Sequence, residues 1–152
     1  MEGTSHMRTV FGQALVAAGI ALALGSGQSA SAQNKTTWDG VYSAAQATRG
    51  GDLYAKNCAS CHKPDLSGND SVSAPPLVAK ELGLSFGDSG VDVLASRIQT
   101  TMPKDKPRTL TAAQATDIVA FLLQKGGMPA GSAELSSDAA AQKTITFVPT
   151  KP

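Results

Sequence analysis

Apolar positions along the chain change their spacing from segment to segment. Residues 14–24 (ALVAAGIALAL) form an unbroken apolar run, with Arg8 ahead of it and small residues behind it ending in Ala30-Ser31-Ala32. A positive start, a short apolar core and an A-x-A close are the parts of an export leader. Residues 1–32 are therefore expected to be a signal peptide cleaved after Ala32, and residues 1–6 an upstream start or added remnant ahead of a natural start at Met7. A membrane anchor is the competing reading, but a span needs about 20 apolar residues, and no positive stop signal follows. No cysteine lies near the cleavage point to carry a lipid. The mature protein is expected in the periplasm.

Beyond the leader the pattern turns helical. Residues 33–37 are polar and expected to be loose, and Trp38-Asp39-Gly40-Val41-Tyr42 reads as a short ordered segment. Ser43 or Thr48 can cap a helix running toward Cys58, with Ala47, Leu53, Tyr54 and Ala55 as its apolar positions. Gly50 and Gly51 inside it cost roughly 1 kcal/mol each relative to alanine, which implies that another helix must approach closely there. Residues 63–76 are rich in Ser, Gly, Asp, Asn and Pro and read as a loop. Val91, Leu94, Ala95 and Ile98 recur at i, i+3, i+4 and i+7, predicting a helix over residues 90–101 that Pro103 ends. Residues 104–108 (KDKPR) are a polar connection. Thr111-Ala112-Ala113-Gln114 has the spacing of a capping box. It opens the strongest helix, with Ala115, Ile118, Val119, Leu122 and Leu123 on one side, Phe121 adjacent, and Gly126 and Gly127 as the stop. Residues 128–152 are weakly patterned, with one helical turn expected over 138–143 and extended chain over 144–148. The organisation expected is a leader (1–32), an N-terminal segment (33–47), a helical domain (48–127) and an irregular tail (128–152).

Composition changes this picture in one respect. The 120 residues after Ala32 include 17 alanines but only 23 Leu, Ile, Val or Phe. That share is near the level at which a core becomes doubtful, so a bulky cofactor, metal or disulfide is expected to complete the interior. The chain's 13 Lys and Arg against 12 Asp and Glu leave a net charge of +1, which excludes a strongly basic nucleic-acid binder. Two cysteines exclude a multi-disulfide framework and a four-thiolate metal site.

Those cysteines fall in Cys58-Ala59-Ser60-Cys61-His62, a C-x-x-C-H pentapeptide. In an exported chain this reads as covalent attachment of one c-type haem. Two thiols on one turn of helix can form thioethers with the two vinyl groups on one side of the porphyrin, and the adjacent imidazole can reach the iron. Competing readings are a Cys58–Cys61 disulfide, a thioredoxin-like redox pair, and structural zinc. The first two leave His62 without a role, and zinc requires about four ligands. His62 is the only histidine after the leader, so two histidines cannot share the iron. The sixth ligand must then be Met102, between a helix and Pro103, or Met128, behind Gly126 and Gly127; a thioether clamped between a packed helix and a proline is the better placed. The bland alternative for either methionine is core filling.

With these residues in view, the chain resembles the monohaem class I cytochromes c over residues 38–127. The resemblance implies an all-α cytochrome c fold, three principal helices around one covalently bound haem. In that family a glycine and an aromatic on the first helix pack against an aromatic on the last, which gives those places to Gly50, Tyr54 and Phe121. Ala74-Pro75-Pro76-Leu77 resembles the segment whose proline carbonyl accepts the proximal imidazole N–H, implying that role for Pro75 and haem packing for Leu77; alanine stands at 74 in place of the usual glycine. The segment 38–42, residues 100–103, and Met128-Pro129-Ala130-Gly131 ahead of Glu134-Leu135 are also similar to small cytochromes found beside, or fused to, periplasmic dehydrogenases, several of which use pyrroloquinoline quinone.

The cofactor-binding set is thus expected to be Cys58, Cys61, His62, Met102, Pro75 and Leu77, with His62 and Met102 on the iron. Iron held by both has no open position, and methionine sulfur favours the ferrous state. The expected function is one-electron transfer rather than catalysis, from a periplasmic dehydrogenase toward a terminal oxidase or another cytochrome, as a monomer or in transient complexes. Lys63, Lys104, Lys106 and Arg108 could steer an acidic partner, although Asp65, Asp70 and Asp105 offset them. The alternative is a haem enzyme or sensor in which a labile Met102 opens the iron to peroxide.

Overall fold

The computed structural model describes Met1 and residues 35–152; all of the expected leader beyond Met1, residues 2–32, lies outside the described residues. The described chain runs β1 (Lys35–Thr36), α1 (Ala44–Asn57), α2 (Ala59–His62), a 3-10 turn (Asp70–Val72), α3 (Ala79–Phe86), α4 (Val91–Thr101), α5 (Ala112–Lys125), α6 (Ala139–Lys143) and β2 (Ile145–Thr146). It is all-α apart from one pair of two-residue strands. No described helix is long and apolar enough to cross a membrane.

The three principal helices follow from their sequences. Ser43, rather than Thr48, caps α1, its hydroxyl accepting from the Gln46 N–H at 3.1 Å. Thr48 lies inside the helix and bonds back to the Ala44 carbonyl. Ala47, Gly50 and Tyr54 form the buried face, while Ala55, expected to be apolar contact, falls on the solvent side. On α4 all four expected positions are buried. The α5 cap is reciprocal: Gln114 N–H donates to Thr111 Oγ1 at 3.2 Å and Thr111 N–H to Gln114 Oε1 at 2.9 Å. Thr116 and Ala120 join the expected buried positions of α5.

Helices α1 and α5 cross at close range. A Cβ on Gly50 would overlap the Asp117 carbonyl oxygen and lie 3.0 Å from Phe121 Cβ, so only glycine permits this contact. One turn along, the Tyr54 and Phe121 rings pack at a tilt of 35° with centroids 5.1 Å apart. Arg49 forks onto Asp117 at 3.1 and 3.2 Å and reaches Glu134 at 2.8 Å.

The chain ends contribute more than their weak patterning suggests. Residues 35–37, expected to be loose, are held: β1 pairs in parallel with β2, and Thr37 is fully buried. Thr37 and Val148 exchange hydrogen bonds at 3.2 and 3.1 Å, and the Trp38 indole donates to the Val148 carbonyl at 3.0 Å. Between them the tail is irregular but packed, with Met128, Leu135 and Phe147 buried. Gln46 on α1 exchanges bonds with the Leu135 peptide at 3.0 and 2.7 Å, and Gln142 on α6 donates to Thr116 at 2.9 Å.

Candidate functional site

The C-x-x-C-H motif sits where α1 breaks into α2. Cys58 N–H still donates to the Tyr54 carbonyl at 2.8 Å, closing α1, while its own carbonyl accepts from the N–H groups of Cys61 and His62 at 3.1 and 2.9 Å. One tight turn therefore gathers both thiols and the imidazole. Cys58 is half-buried, Cys61 exposed, and both thiols are free. Burial, reinforced by Cys61, pushes the Cys58 thiol up to about 11. The zinc reading finds no support, since no three His, Cys, Asp or Glu side chains converge among the described residues.

His62 is buried, and its Nδ1–H donates to the Pro75 carbonyl at 2.8 Å. A carbonyl can only accept, so Nδ1 carries the proton and Nε2 keeps the free lone pair. This fixes the tautomer and ring plane as metal-binding sites do for their histidines. The Pro75 carbonyl is itself held. Asn69 and Ala74 exchange backbone bonds at 2.7 and 3.0 Å, so alanine is accommodated at 74. Gly68, with φ 77°, packs so closely that a Cβ would lie 2.6 Å from the Ala74 carbonyl oxygen and from Pro76 N.

These groups open onto a cavity of about 770 Å³, within the range of roughly 300–1,000 Å³ typical of cofactor sites. Cys58, Cys61, His62, Pro75, Leu77 and Met102 all line it, so each expected site residue borders one space. Leu82 and Phe86 of α3, Leu94 and Ile98 of α4, and Ile118 and Leu122 of α5 supply apolar walls. Met102 caps the C-terminus of α4, its N–H donating to the Ile98 carbonyl at 3.1 Å. Met128 is absent from the cavity wall; it is buried in the core, its carbonyl accepting from the Tyr42 hydroxyl at 2.6 Å.

Residues 45–122 match the family described as cytochrome C oxidase, cbb3-type, subunit III. The chain belongs to that cytochrome c family. Its cytochrome c domain accordingly has the cytochrome c fold and serves haem-based electron transfer. Among solved structures, the chain is similar to one of the sulfane dehydrogenase SoxCD from Paracoccus pantotrophus, at 24% identity and a TM-score of 0.43. That match covers 60% of this chain and 53% of the other, so the chain spans about half the length of the protein it resembles. No curated protein matches.

The residues present fit a haem. The cavity has apolar walls for a porphyrin face, paired thiols at its edge, a nitrogen with a free lone pair on one wall, and a thioether among its lining groups. Four contributors escaped the sequence reading: Gly68 and Asn69, which hold the Pro75 segment, the Tyr54 hydroxyl, which donates to the Lys63 carbonyl at 2.7 Å, and α3. The glycine and asparagine in the turn-rich stretch are a usable signal, as is the spacing of Ala79, Leu82 and Phe86 at i, i+3 and i+7 for α3; the Tyr54 hydroxyl leaves none.

Proposed function

We propose that this cytochrome c domain is a one-electron carrier whose haem is covalently joined to Cys58 and Cys61, with His62 and Met102 as axial ligands. The observation that carries the reading is the His62–Pro75 bond beside the cavity: it leaves Nε2 as the coordinating nitrogen and makes it more basic. Haem iron, when bound, supplies the single electron exchanged between ferrous and ferric states. The chain's own part is to hold two ligands in place in both states, to keep the space apolar, and to leave the thioether side near solvent. An apolar site and a thioether both disfavour the more positive ferric centre, raising the potential.

The donor we propose is a periplasmic dehydrogenase, and the acceptor an oxidase or another cytochrome. The family's description as an oxidase subunit accords with the second, and the leader with export. Lys104 and Asp105 border the cavity, and Lys63, Lys106 and Arg108 are exposed. This mixed rim suits weak, salt-sensitive encounters rather than a permanent complex.

Met102→Ala tests the ligand set. The holoprotein should lose the long-wavelength band of the oxidised iron–methionine bond, drop in potential, and bind carbon monoxide readily. An unchanged spectrum and potential would remove Met102 from the iron. Carbon monoxide binding by the unaltered protein would favour the peroxidase-like or sensing alternative.

A further inference from the structure

The turn leaving His62 has a backbone conformation that its sequence does not favour. Lys63 has φ 60° and ψ 156°, a region that glycine alone enters freely and that other residues hold only where their surroundings over-determine it. Leu66, three residues on and buried, also has a positive φ of 65°.

Three hydrogen bonds impose this shape. Gly68 N–H donates to the His62 carbonyl and Leu66 N–H to the Lys63 carbonyl, both at 3.1 Å. The third comes from outside the turn: the Tyr54 hydroxyl, on α1, donates to the Lys63 carbonyl at 2.7 Å. Tyr54 is 2% exposed, and burial moves its phenol well above the ordinary value, so the hydroxyl stays protonated and able to donate. Packing on Phe121 and lining the cavity would need only a phenylalanine. Among the described residues the hydroxyl has no further partner, so its function lies at Lys63.

We propose that Tyr54 is a positioning residue whose hydroxyl pins the strained Lys63 and thereby keeps the His62 imidazole aligned with the Pro75 carbonyl. The φ of Lys63 sets the direction in which the chain leaves His62. If Lys63 relaxes to negative φ, the His62 carbonyl swings from Gly68, the ring tilts, and the Nδ1–H bond lengthens. A weaker bond lowers the basicity of Nε2. The inference rests on the reading of His62 as the proximal ligand.

The test uses the reduced holoprotein and compares the unaltered chain with Tyr54→Phe, Lys63→Gly and the double variant. Two quantities are read: exchange of the His62 Nδ1 proton by NMR, and the midpoint potential. Tyr54→Phe should speed exchange about tenfold, the factor expected for one lost hydrogen bond, and shift the potential. Lys63→Gly, which adopts the same backbone without strain, should change exchange little. In the double variant it should restore most of the protection that Tyr54→Phe removes. Should Tyr54→Phe yield no holoprotein, the double variant should recover it. Unchanged exchange and potential in Tyr54→Phe, or a double variant no better than Tyr54→Phe alone, would overturn the proposal. A preparation without haem, or with an axial ligand other than His62, would instead overturn the ligand assignment on which it rests.

Discussion

Gly50 and Gly51 are neighbours on α1, yet they meet α5 differently. At Gly50 an added methyl would collide with the Asp117 backbone carbonyl, which is locked in the α5 ladder and cannot retreat. At Gly51 the same methyl would lie 3.2 Å from an edge carbon of the Phe121 ring, which can shift by a few tenths of an ångström. Gly50→Ala should therefore force the helices apart, costing at least the 1–3 kcal/mol typical of overpacking. Gly51→Ala should stay within about 1 kcal/mol of the parent, since the gain in helix propensity offsets the adjustment. Thermal unfolding of the two holoproteins, followed by far-UV circular dichroism, compares them directly. Equal melting temperatures would mean that the crossing is not set by the backbone contact at Gly50.

Among the elements, the tail has the least apparent reason to be ordered, and polar bonds rather than apolar periodicity dock it. Gln46, 2% exposed, satisfies both the N–H and the carbonyl of Leu135. Gln46→Leu keeps the side-chain volume but leaves those two buried groups unpaired, at about 1–3 kcal/mol each. The expected result is faster proteolysis within residues 128–143 with an unaltered visible spectrum; an unchanged cleavage rate would show that the tail is held elsewhere. This mode of docking also explains what could be read in advance. Helices α1, α4 and α5 were legible because caps, glycine stops and apolar spacing agree on each. Helix α3 was not, because it buries only Leu82 and leaves Leu84 79% exposed. Its apolar stripe, Ala79, Leu82 and Phe86 at i, i+3 and i+7, is only two turns long and carries no cap, and Leu82 and Phe86 spend it on the cavity wall. The strand pair is two residues long and held by Thr37, below what alternation can reveal. At the site, Cys58, Cys61 and His62 fall within one pentapeptide and spell out their chemistry. Pro75 and Leu77 needed the family resemblance. Gly68 and the Tyr54 hydroxyl act on backbone carbonyls, which no side-chain pattern records.

At the scale of the whole molecule, the shortage of large apolar side chains and the cavity are one fact seen twice. Leu82, Phe86, Leu94, Ile98, Ile118 and Leu122, drawn from three helices, all face the same space. They line a cavity where another protein would have interdigitated side chains. Cavity formation in a packed core costs about 24 cal/mol per Å³. Even if only half of the 770 Å³ counts, because the cleft is open on one side, the penalty is on the order of 10 kcal/mol, as large as the 5–15 kcal/mol that stabilises a typical domain. A chain unable to attach haem should therefore not keep this fold around an empty cleft. Cys58→Ala/Cys61→Ala, produced without haem, should retain part of its helical circular dichroism, lose fixed near-UV signals, bind a hydrophobic dye and melt without a sharp transition, the signs of a collapsed but unpacked state. The α1–α5 crossing is the element expected to survive best, since Gly50, Tyr54 and Phe121 engage one another without the cofactor. A haem-free variant melting cooperatively within a few degrees of the holoprotein would show instead that the tail and terminal strands stabilise the fold on their own, and that the cofactor is a guest in a finished structure.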